Sequence, residues 1–354
     1  MKKLAVNFKS IISVAFLFFV VYGCGTVSYF EVPPEFRSPD RKAELLKNYA
    51  SYINGVIIFI DPGHGGNERG NKGFEEFESE ADLNLIVSLY LRDFLTDAGA
   101  IVYMSRTNDK KVELKDRSIL ADSSGADIFL SIHHNAPGSI GDIWTDYTST
   151  YYHSKENNYE YEPSERDLAR YVQRDLAYAV RNSGGLGSFD GTYSDYIIYP
   201  DYGFSVLRET KIPSILVECV FSTNHFEAGR LEDDEFNKIE AWGIFRGLCR
   251  YFKAGVPRIS YLNNKDSVNS GDLLTFLLSD STGIDSNSIR MQFDSVDVHD
   301  YSFDESNNLL SYQVNKLACG FHSLRIIVAN KNGNHSFPFH KKLFIIKNNQ
   351  PVKI

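Results

Sequence analysis

The fold is decided by the stretch VIIFIDPGHGG, residues 56–66. Its first part, residues 56–60, is a continuous apolar run rich in β-branched side chains, which is typical of a strand buried on both faces. The run ends abruptly at a turn-forming segment that contains His64. Since strands buried on both faces occur mainly in parallel sheets covered by helices, this stretch predicts a central strand with a functional loop at its carboxyl end.

Helix and strand patterns alternate after this stretch. From Glu80, apolar residues recur at steps of three and four, and Gly99 follows as a C-terminal cap, so a helix of about five turns is predicted there. Further strands are predicted at 101–104, 128–132, 147–153 and 214–218, and further helices around 117–121, at 166–180 and at 234–252. This alternation predicts an α/β domain with a mainly parallel twisted sheet and helices on both faces.

Two domains are expected from the length of 354 residues. The α/β pattern spans residues 54–254. Beyond Pro257, short alternating segments such as 324–328 are separated by turn signals, and the helix pattern stops. Residues 258–354 are therefore predicted to form a small all-β sandwich domain, similar to bacterial immunoglobulin-like modules.

The N-terminal segment has the layout of a signal peptide. Three lysines precede the apolar run at 11–21, which is too short for a transmembrane helix of about 20 residues. Residues 21–24, VYGC, resemble the bacterial lipobox, which implies removal of residues 1–23 and a lipid on Cys24. A plain secretory signal with an incidental cysteine is the alternative. Residues 24–53 contain three prolines and are interpreted as a tether between a membrane and the folded body.

Charge and cysteine content argue against nucleic-acid binding, against a disulfide framework and against a cysteine zinc site. Without residues 1–23 the chain has 34 basic and 46 acidic residues, a net charge of −12, so nucleic acid is not an expected partner. Cys219, Cys249 and Cys319 are far apart and odd in number. They predict neither a disulfide framework nor a cysteine zinc site.

Three potential metal ligands occur where strands end or a helix begins. His64 follows the first strand, Glu80 opens the first helix of the α/β pattern, and His133 comes directly at the end of the predicted strand 128–132. The carboxyl ends of parallel strands meet at one crevice, so these side chains are expected to converge. Two histidines and one glutamate with an open fourth position form a catalytic zinc set, because a hydrolase needs room for water and substrate.

The order and the amino-acid sequences of these segments resemble those of the zinc-dependent N-acetylmuramoyl-L-alanine amidases. The resemblance covers about residues 55–253, and several ordered motifs over that length are far more specific than any one of them. The matching segments are IDPGHGG at 60–66, EAD at 80–82, SRTND at 105–109, Leu114, Arg117, SIHHNA at 131–136 and PSILVE at 213–218.

The resemblance implies a site and a reaction. By position in the family motifs, His64, Glu80 and His133 bind one zinc ion per chain and Glu218 is the catalytic acid/base. The implied reaction is hydrolysis of the amide bond between N-acetylmuramic acid and L-alanine in peptidoglycan. The enzyme is expected in the periplasm or cell envelope, attached to a membrane through Cys24, and a protein activator is a candidate partner.

Two other functions remain open at this point. A catalytically inactive relative could bind peptidoglycan, but it would need to lack a ligand or the acid/base, and all four residues are present. A zinc peptidase could cleave another amide, because fold and ligand set do not dictate the substrate.

Several neighbouring residues have competing interpretations. The acids Glu75, Glu76 and Glu78 could replace Glu80 as ligand, but a solvated acidic loop is the preferred interpretation. Asp61 and Asn135 either orient a ligand imidazole or cap the backbone. Arg106 and Arg117 are expected to form a framework ion pair rather than a site for stem-peptide carboxylates. His225 is expected to lie in a surface turn.

Three local expectations concern the shape of the site. Val220 stands where the family usually has glycine, so either the turn is extended or the site is reshaped. The segment between Asp142 and Arg166 is too short for the long regulatory helix of some relatives, which predicts an unobstructed site. Residues alternate faces along a strand, so His133 and His134 are expected on opposite sides of the sheet.

Overall fold

The computed structural model describes residues 30–71, 78–138, 141–182 and 190–346. The predictions for the signal peptide and Cys24 therefore lie outside the described residues. From Val32 onward the described chain belongs to one compact unit. Within the described ranges, every helix is too short or too polar to cross a bilayer.

Helices and strands alternate in the first part of the chain. The helices are α1 (Pro39–Ile53), α2 (Glu80–Asp97), α3 (Leu114–Ser124), α4 (Pro163–Val180), α5 (Ser205–Arg208), α6 (His225–Leu231) and α7 (Asp234–Lys253). The strands are β1 (Ile57–Pro62), β2 (Ile101–Met104), β3 (Ile128–Asn135), β4 (Ser149–Tyr152), β5 (Thr192–Ser194) and β6 (Ser214–Phe221).

These six strands form one sheet in the order β2-β1-β3-β6-β4-β5. All neighbouring pairs are parallel except β4 and β6, which run antiparallel. The prediction of a mainly parallel sheet is therefore confirmed. Strands β1, β3 and β6 lie at its centre, so their carboxyl ends meet at one edge.

Both faces of the central strands are covered, which explains the unbroken apolar run of β1. Phe59 and Phe129 lie on one face, with ring centroids 5.9 Å apart, and pack against α3 and α5. Burial of such a side chain contributes about 1.5–3 kcal/mol. On the other face α4 and α7 pack very closely. A Cβ on Gly243 of α7 would lie 2.8 Å from the backbone of Leu176, so this approach requires glycine.

The interpretation of 24–53 as a tether is wrong for its second half, because residues 39–53 form the helix α1. Ser38 caps this helix by accepting a hydrogen bond from the Arg41 backbone N–H, and Pro39 occupies the first turn. The helix and the segment before it pack on α7, where Glu35 pairs with Arg246. The prolines of the segment favoured the tether interpretation, although Ser38 and Pro39 are also signals for the start of a helix.

The last part of the chain is all β in the described residues and forms two sheets. The strands are β7 (Arg258–Tyr261), β8 (Ser267–Asn269), β9 (Leu273–Ser279), β10 (Ile284–Phe293), β11 (Val296–Val298), β12 (Tyr301–Asp304), β13 (Leu309–Gln313), β14 (Gly320–Asn330) and β15 (Phe339–Ile346). The sheet orders are β11-β10-β14-β15-β8 and β12-β13-β9-β7, and buried residues of both sheets share one apolar core. The predicted sandwich is confirmed.

A turn of the β sandwich caps the last helix of the α/β part. Helix α7 ends with backbone carbonyls that have no partner inside the helix. Asn330 donates to the Ala254 carbonyl at 2.8 Å, and Asn334 donates to the carbonyls of Tyr251 and Gly255 at 3.2 and 2.9 Å. The two parts of the chain are thus joined by specific polar contacts as well as by the connecting peptide.

Candidate active site and metal centre

The loop after β1 carries His64 in an unusual backbone conformation. Its φ angle is 58°, in the left-handed region, and Gly65 and Gly66 follow with positive φ as well. A Cβ on Gly65 would collide with the Lys110 carbonyl, which explains the glycine. For a histidine this conformation costs on the order of 1–3 kcal/mol, and such strain is concentrated at functional sites.

Two buried arginines hold this strained loop through its carbonyl groups. Arg117 donates to the carbonyls of Pro62 and His64 at 2.8 and 2.9 Å. Arg106 donates to those of Pro62 and Gly63 at 2.9 and 2.8 Å. Burial and the charge of Arg117 lower the pKa of Arg106 to about 10, so it remains protonated at neutral pH. These bonds offset the strain and fix the direction of the His64 side chain.

Asp61 and Arg117 form the expected framework ion pair at 2.6 Å, with both side chains buried. The two carboxylate oxygens of Asp61 also accept hydrogen bonds from Ser105 at 2.6 Å and Ser131 at 2.9 Å. Asn135 donates to Ser149 at 3.3 Å. Asp61 and Asn135 thus contact other side chains, whereas the sequence left open backbone capping or the orientation of a ligand imidazole.

The three candidate ligands lie together, as the sequence predicts. Oε1 of Glu80 is 3.1 Å from Nε2 of His64 and 3.0 Å from Nδ1 of His133. All three ligand atoms lie within 4.8 Å of one another, and the two imidazole rings are nearly perpendicular, at 80°. Glu80 is buried, whereas the two histidines are partly exposed toward a cleft. This arrangement leaves one side of the cluster accessible.

Two glycines make room for this cluster. A Cβ on Gly63 would collide with the His133 ring, and a Cβ on Gly70 would collide with the Glu80 carboxylate. The outer nitrogen of His64, Nδ1, lies 3.3 Å from Glu68 Oε1, a typical outer contact of a metal-binding imidazole. Two imidazoles and one carboxylate beside an open cleft are the donor set of a catalytic zinc site, so the residues fit a zinc ion.

The charge of Glu80 is stabilised by its neighbours. Burial by itself would raise the pKa of this carboxyl, but hydrogen bonds and charge from His133 and His64 outweigh it and hold the pKa well below its usual range. The backbone N–H of Asn71 also donates to Oε2 at 2.7 Å. Glu80 is therefore an anion at neutral pH, as a metal ligand must be.

Glu218 lies next to this cluster on the neighbouring strand. It is the register partner of His133 in the β3–β6 pair. Among the residues that the structure describes, none donates a hydrogen bond to its buried Oε2 atom. Burial and the nearby Glu80 charge raise the pKa of Glu218 well above its usual value. A carboxyl group of this kind is suited to hold and release a proton.

A bulge in β6 explains how the chain accommodates valine at position 220, where the family usually has glycine. His133 pairs with Glu218 and Asn135 pairs with Phe221, so β6 has one extra residue between these two pairs. Val220 lies inside the strand and is fully buried, and positive φ is not used there. A bulge redirects the side chains around it and is common beside active sites. The site is thus reshaped by an extra strand residue that valine tolerates.

A cleft of about 1130 Å³ opens above the cluster. Its lining residues include the four candidate site residues His64, Glu80, His133 and Glu218, the polar residues Asn67, Glu68, Arg69 and Asn71, and a mainly aromatic group formed by Tyr199, Tyr202, Phe204 and Arg208. Between Asp142 and Glu162, all of which the structure describes, the chain forms β4 and loops without a helix. The described segment from Asp142 to Glu162 therefore contains no long regulatory helix.

His134 lies on the opposite face of β3 from His133, as the alternation of strand residues predicts. It is buried, and Nδ1 is 2.8 Å from Asn84 Oδ1 while Nε2 is 3.3 Å from Glu240 Oε2. Asn84 in turn donates to the Gly63 carbonyl at 3.2 Å. Cys219 lies beside this group. Both ring nitrogens of His134 are engaged in a hydrogen-bonded network beneath the His64 loop.

The other sequence candidates lie away from the metal cluster or outside the described residues. Glu75 and Glu76 are not among the described residues, and Glu78 is exposed. His225 is exposed at the start of α6. Glu68 and the tyrosines of the cleft were not predicted as site residues from the sequence. The unusual tyrosine-rich run at 193–202 was the available signal for the latter.

A mainly parallel α/β sheet with a His-Glu-His cluster and a nearby glutamate in an open cleft is typical of metal-dependent hydrolases. Within that class, the N-acetylmuramoyl-L-alanine amidase family matches residues 58–250, more than half of the chain. The chain therefore belongs to the N-acetylmuramoyl-L-alanine amidase family.

Individual relatives match the same part of the chain. An uncharacterized Bacillus subtilis protein, YqiI, is 33% identical over 204 residues, which are 57% of this chain and 88% of that protein. The amidase LytC of Bacillus subtilis is 34% identical over 211 residues, 60% of this chain but only 38% of LytC. A solved amidase structure from Clostridium difficile 630 is 33% identical, with a TM-score of 0.49, and the match covers 56% of this chain and 98% of that one.

Proposed function

We propose that this protein is a zinc-dependent amidase that hydrolyses the bond between N-acetylmuramic acid and L-alanine in peptidoglycan. His64, Glu80 and His133 are the proposed ligands of one zinc ion, and Glu218 is the proposed catalytic acid/base. One observation carries the proposal: Glu80 Oε1 lies within 3.1 Å of both imidazoles at the base of an open cleft. Family membership supplies the bond that is cut.

The proposed ligand residues and Glu218 have different roles in the hydrolysis. When bound, zinc supplies Lewis-acid polarisation of the scissile carbonyl and lowers the pKa of water. His64 and His133 would hold the ion through imidazole nitrogens, and Glu80 would hold it through its anionic carboxylate. Glu218 takes a proton from the attacking water on a carboxylate oxygen and delivers it to the departing amine nitrogen.

The state of Glu218 follows from its surroundings. In the protein alone, burial and the Glu80 charge raise the pKa of Glu218 and favour the protonated form. A divalent cation beside it favours the anion, because opposite charge stabilises the ionised carboxylate. The two influences oppose one another, so the charge of the neighbouring site would control whether Glu218 holds a proton.

The location and domain organisation are part of the same proposal. Residues 1–23 are proposed to direct export, and a lipid on Cys24 is proposed to attach the protein to a membrane. Residues 54–254, together with the docked helix α1, would form the catalytic domain, and residues 258–354 the accessory domain. Named relatives include a probable cell wall amidase, LytH of Staphylococcus aureus, 31% identical over 206 residues, 57% of this chain and 60% of LytH. Peptidoglycan at the cell envelope is the proposed substrate.

The proposal is tested by metal analysis combined with digestion of purified peptidoglycan. We expect about one zinc per chain and release of intact stem peptides that begin with L-alanine, identified by mass. Peptidoglycan binding without hydrolysis would instead identify an inactive binding protein. Cleavage at a different amide would identify a peptidase of other specificity. Either result contradicts the proposal.

A further inference from the structure

We propose that residues 199–204, here called the tyrosine turn, form a sugar subsite of the cleft. In this subsite the rings of Tyr199 and Tyr202 stack on the pyranose ring of the substrate's N-acetylmuramyl group. This inference rests on the proposed function, because that function places an amino sugar on one side of the scissile amide. The geometry of the turn and the composition of the cleft support it.

The tyrosine turn is anchored by a buried carboxylate. Asp195 is fully buried, and its Oδ2 accepts hydrogen bonds from the Phe204 backbone N–H at 2.8 Å and from His153 Nδ1 at 2.9 Å. Its Oδ1 accepts a hydrogen bond from the Ser154 backbone N–H at 2.9 Å. Gly203 has φ 60°, and a Cβ there would collide with the Asp195 carboxylate. The turn therefore has one well-defined position over the cleft.

Hydrogen bonds within the turn fix the two tyrosines further. The Tyr199 carbonyl accepts a hydrogen bond from the Gly203 N–H at 2.9 Å, and Arg208 donates to the Tyr202 carbonyl at 2.6 Å. The Tyr199 ring packs edge-on against Phe204, with centroids 5.6 Å apart. A backbone held in this way loses little conformational entropy when a ligand binds.

The tyrosine rings are exposed although the backbone beneath them is fixed. Tyr199 is 54% exposed and Tyr202 is 70% exposed, and both line the cleft that contains His64 and Glu218. Exposed aromatic side chains gathered in a cleft mark a binding surface. An aromatic ring has an electron-rich face, which attracts the C–H groups on the face of a pyranose ring. The turn thus has the chemistry of a carbohydrate contact.

A second group of cleft residues is polar, and its chemistry assigns the two halves of the substrate. This group comprises Asn67, Glu68, Arg69 and Asn71. A stem peptide consists of amides and carboxylates, whose hydrogen-bonding groups match polar side chains better than aromatic faces. The scissile amide joins the sugar to the peptide, and the candidate metal cluster lines the same cleft as both groups of residues. The sugar is therefore assigned to the tyrosine turn.

The test compares two substrates that share the scissile amide. One is a soluble N-acetylmuramyl peptide, and the other is the corresponding lactyl peptide, which lacks the pyranose ring. For Tyr202→Ala and Tyr199→Ala we expect KM for the N-acetylmuramyl peptide to rise about tenfold, with kcat and zinc content little changed. For the lactyl peptide we expect no rise. Tyr202→Phe should resemble the unaltered protein, because the ring face remains.

A matched control is Tyr159→Ala, since Tyr159 is 74% exposed but lies outside the cleft lining. It should change neither substrate's KM. Equal losses on both substrates would overturn the proposal, because the turn would then support the site as a whole. An unchanged KM for the N-acetylmuramyl peptide in both alanine variants would overturn it as well.

Calorimetric binding of the N-acetylmuramyl peptide separates this inference from the proposed function. Binding that depends on the tyrosines but leads to no hydrolysis contradicts the proposed function and supports the sugar subsite. Hydrolysis with binding that does not depend on the tyrosines supports the proposed function and overturns the subsite.

Discussion

At the scale of single residues, the site combines strain with close contacts. His64 has positive φ, and its carbonyl and those of the two preceding residues are held by Arg106 and Arg117. The sequence predicted which residues meet, because their positions at strand ends and a helix start converge in a parallel sheet. It could not predict the strain at His64, since the backbone angle depends on contacts with residues about 40 to 50 positions later.

Glu218→Gln tests the proton-transfer role at this scale. The amide keeps the size of the side chain but does not exchange a proton, so turnover should fall about 10²- to 10⁴-fold. Zinc content should remain close to one per chain, because Glu218 is not a proposed ligand. Steady-state kinetics on a soluble muropeptide and metal analysis of the same sample provide the readouts. Near-normal turnover would show that another group acts as the base.

Gly63→Ala tests the space around His133. The added Cβ would collide with the His133 ring, so the imidazole must move and zinc affinity should fall about tenfold or more. Gly138→Ala is the matched control, because a Cβ there meets open space. Competition with a zinc chelator measures both variants. Equal affinities for the two would contradict the close packing of the ligand cluster.

At the scale of helices and strands, most of the α/β part was predictable. The short apolar runs of β1 and β3, rich in β-branched residues and bounded by turn signals, favour buried strands, and the three-and-four spacing of α2 favours a helix. Helix α1 was missed although Ser38 and Pro39 are helix-start signals, because the prolines of the segment were interpreted as a tether. Its packing on α7 could not be predicted from the segment alone. The bulge in β6 was likewise invisible, since it is defined only by pairing with β3.

The packing of α4 on β6 makes stability depend on pH. Glu165 in α4 is buried and bonds Ser214, and burial raises its pKa to about 8. Between the ordinary carboxyl pKa and about 8, the folded state holds a proton that the unfolded state has lost, so stability falls as pH rises. Glu165→Gln should remove this decline and be more stable than the unaltered protein at pH 8. Urea unfolding from pH 5 to 8 measures the difference, and an unchanged slope would contradict the buried protonated state.

At the scale of the whole molecule, the β sandwich supports the α/β part without contributing to its cleft. The cleft lining ends at Glu218, whereas Asn330 and Asn334 cap the distant end of α7. An ion pair between Arg325 and Glu162 at 2.9 Å and a contact of 2.7 Å between His335 Nδ1 and Asp167 Oδ2 add to this contact. The sequence predicted a second domain, but these contacts join residues more than 70 positions apart and required the structure.

Truncation after Ala254 should therefore separate stability from catalysis. We expect hydrolysis of soluble muropeptides per folded, zinc-bound molecule to be retained, because the proposed catalytic residues precede this point. The free energy of unfolding should fall by a few kcal/mol, since each lost capping bond contributes about 1 kcal/mol. Asn334→Ala in the full chain should show part of this loss with full activity. Loss of activity in a truncated protein that stays folded would contradict the division of roles.

The most direct test of the central claim is the zinc content of two neighbouring variants, His133→Ala and His134→Ala. His133 faces Glu80 in the cleft, and His134 faces Asn84 and Glu240 on the other side of the sheet. His133→Ala should lose zinc and hydrolysis, because two protein ligands remain of the three that a catalytic site uses. His134→Ala should keep zinc and lose activity only in part. Loss of zinc from His134→Ala with zinc retained in His133→Ala would contradict the proposed metal centre.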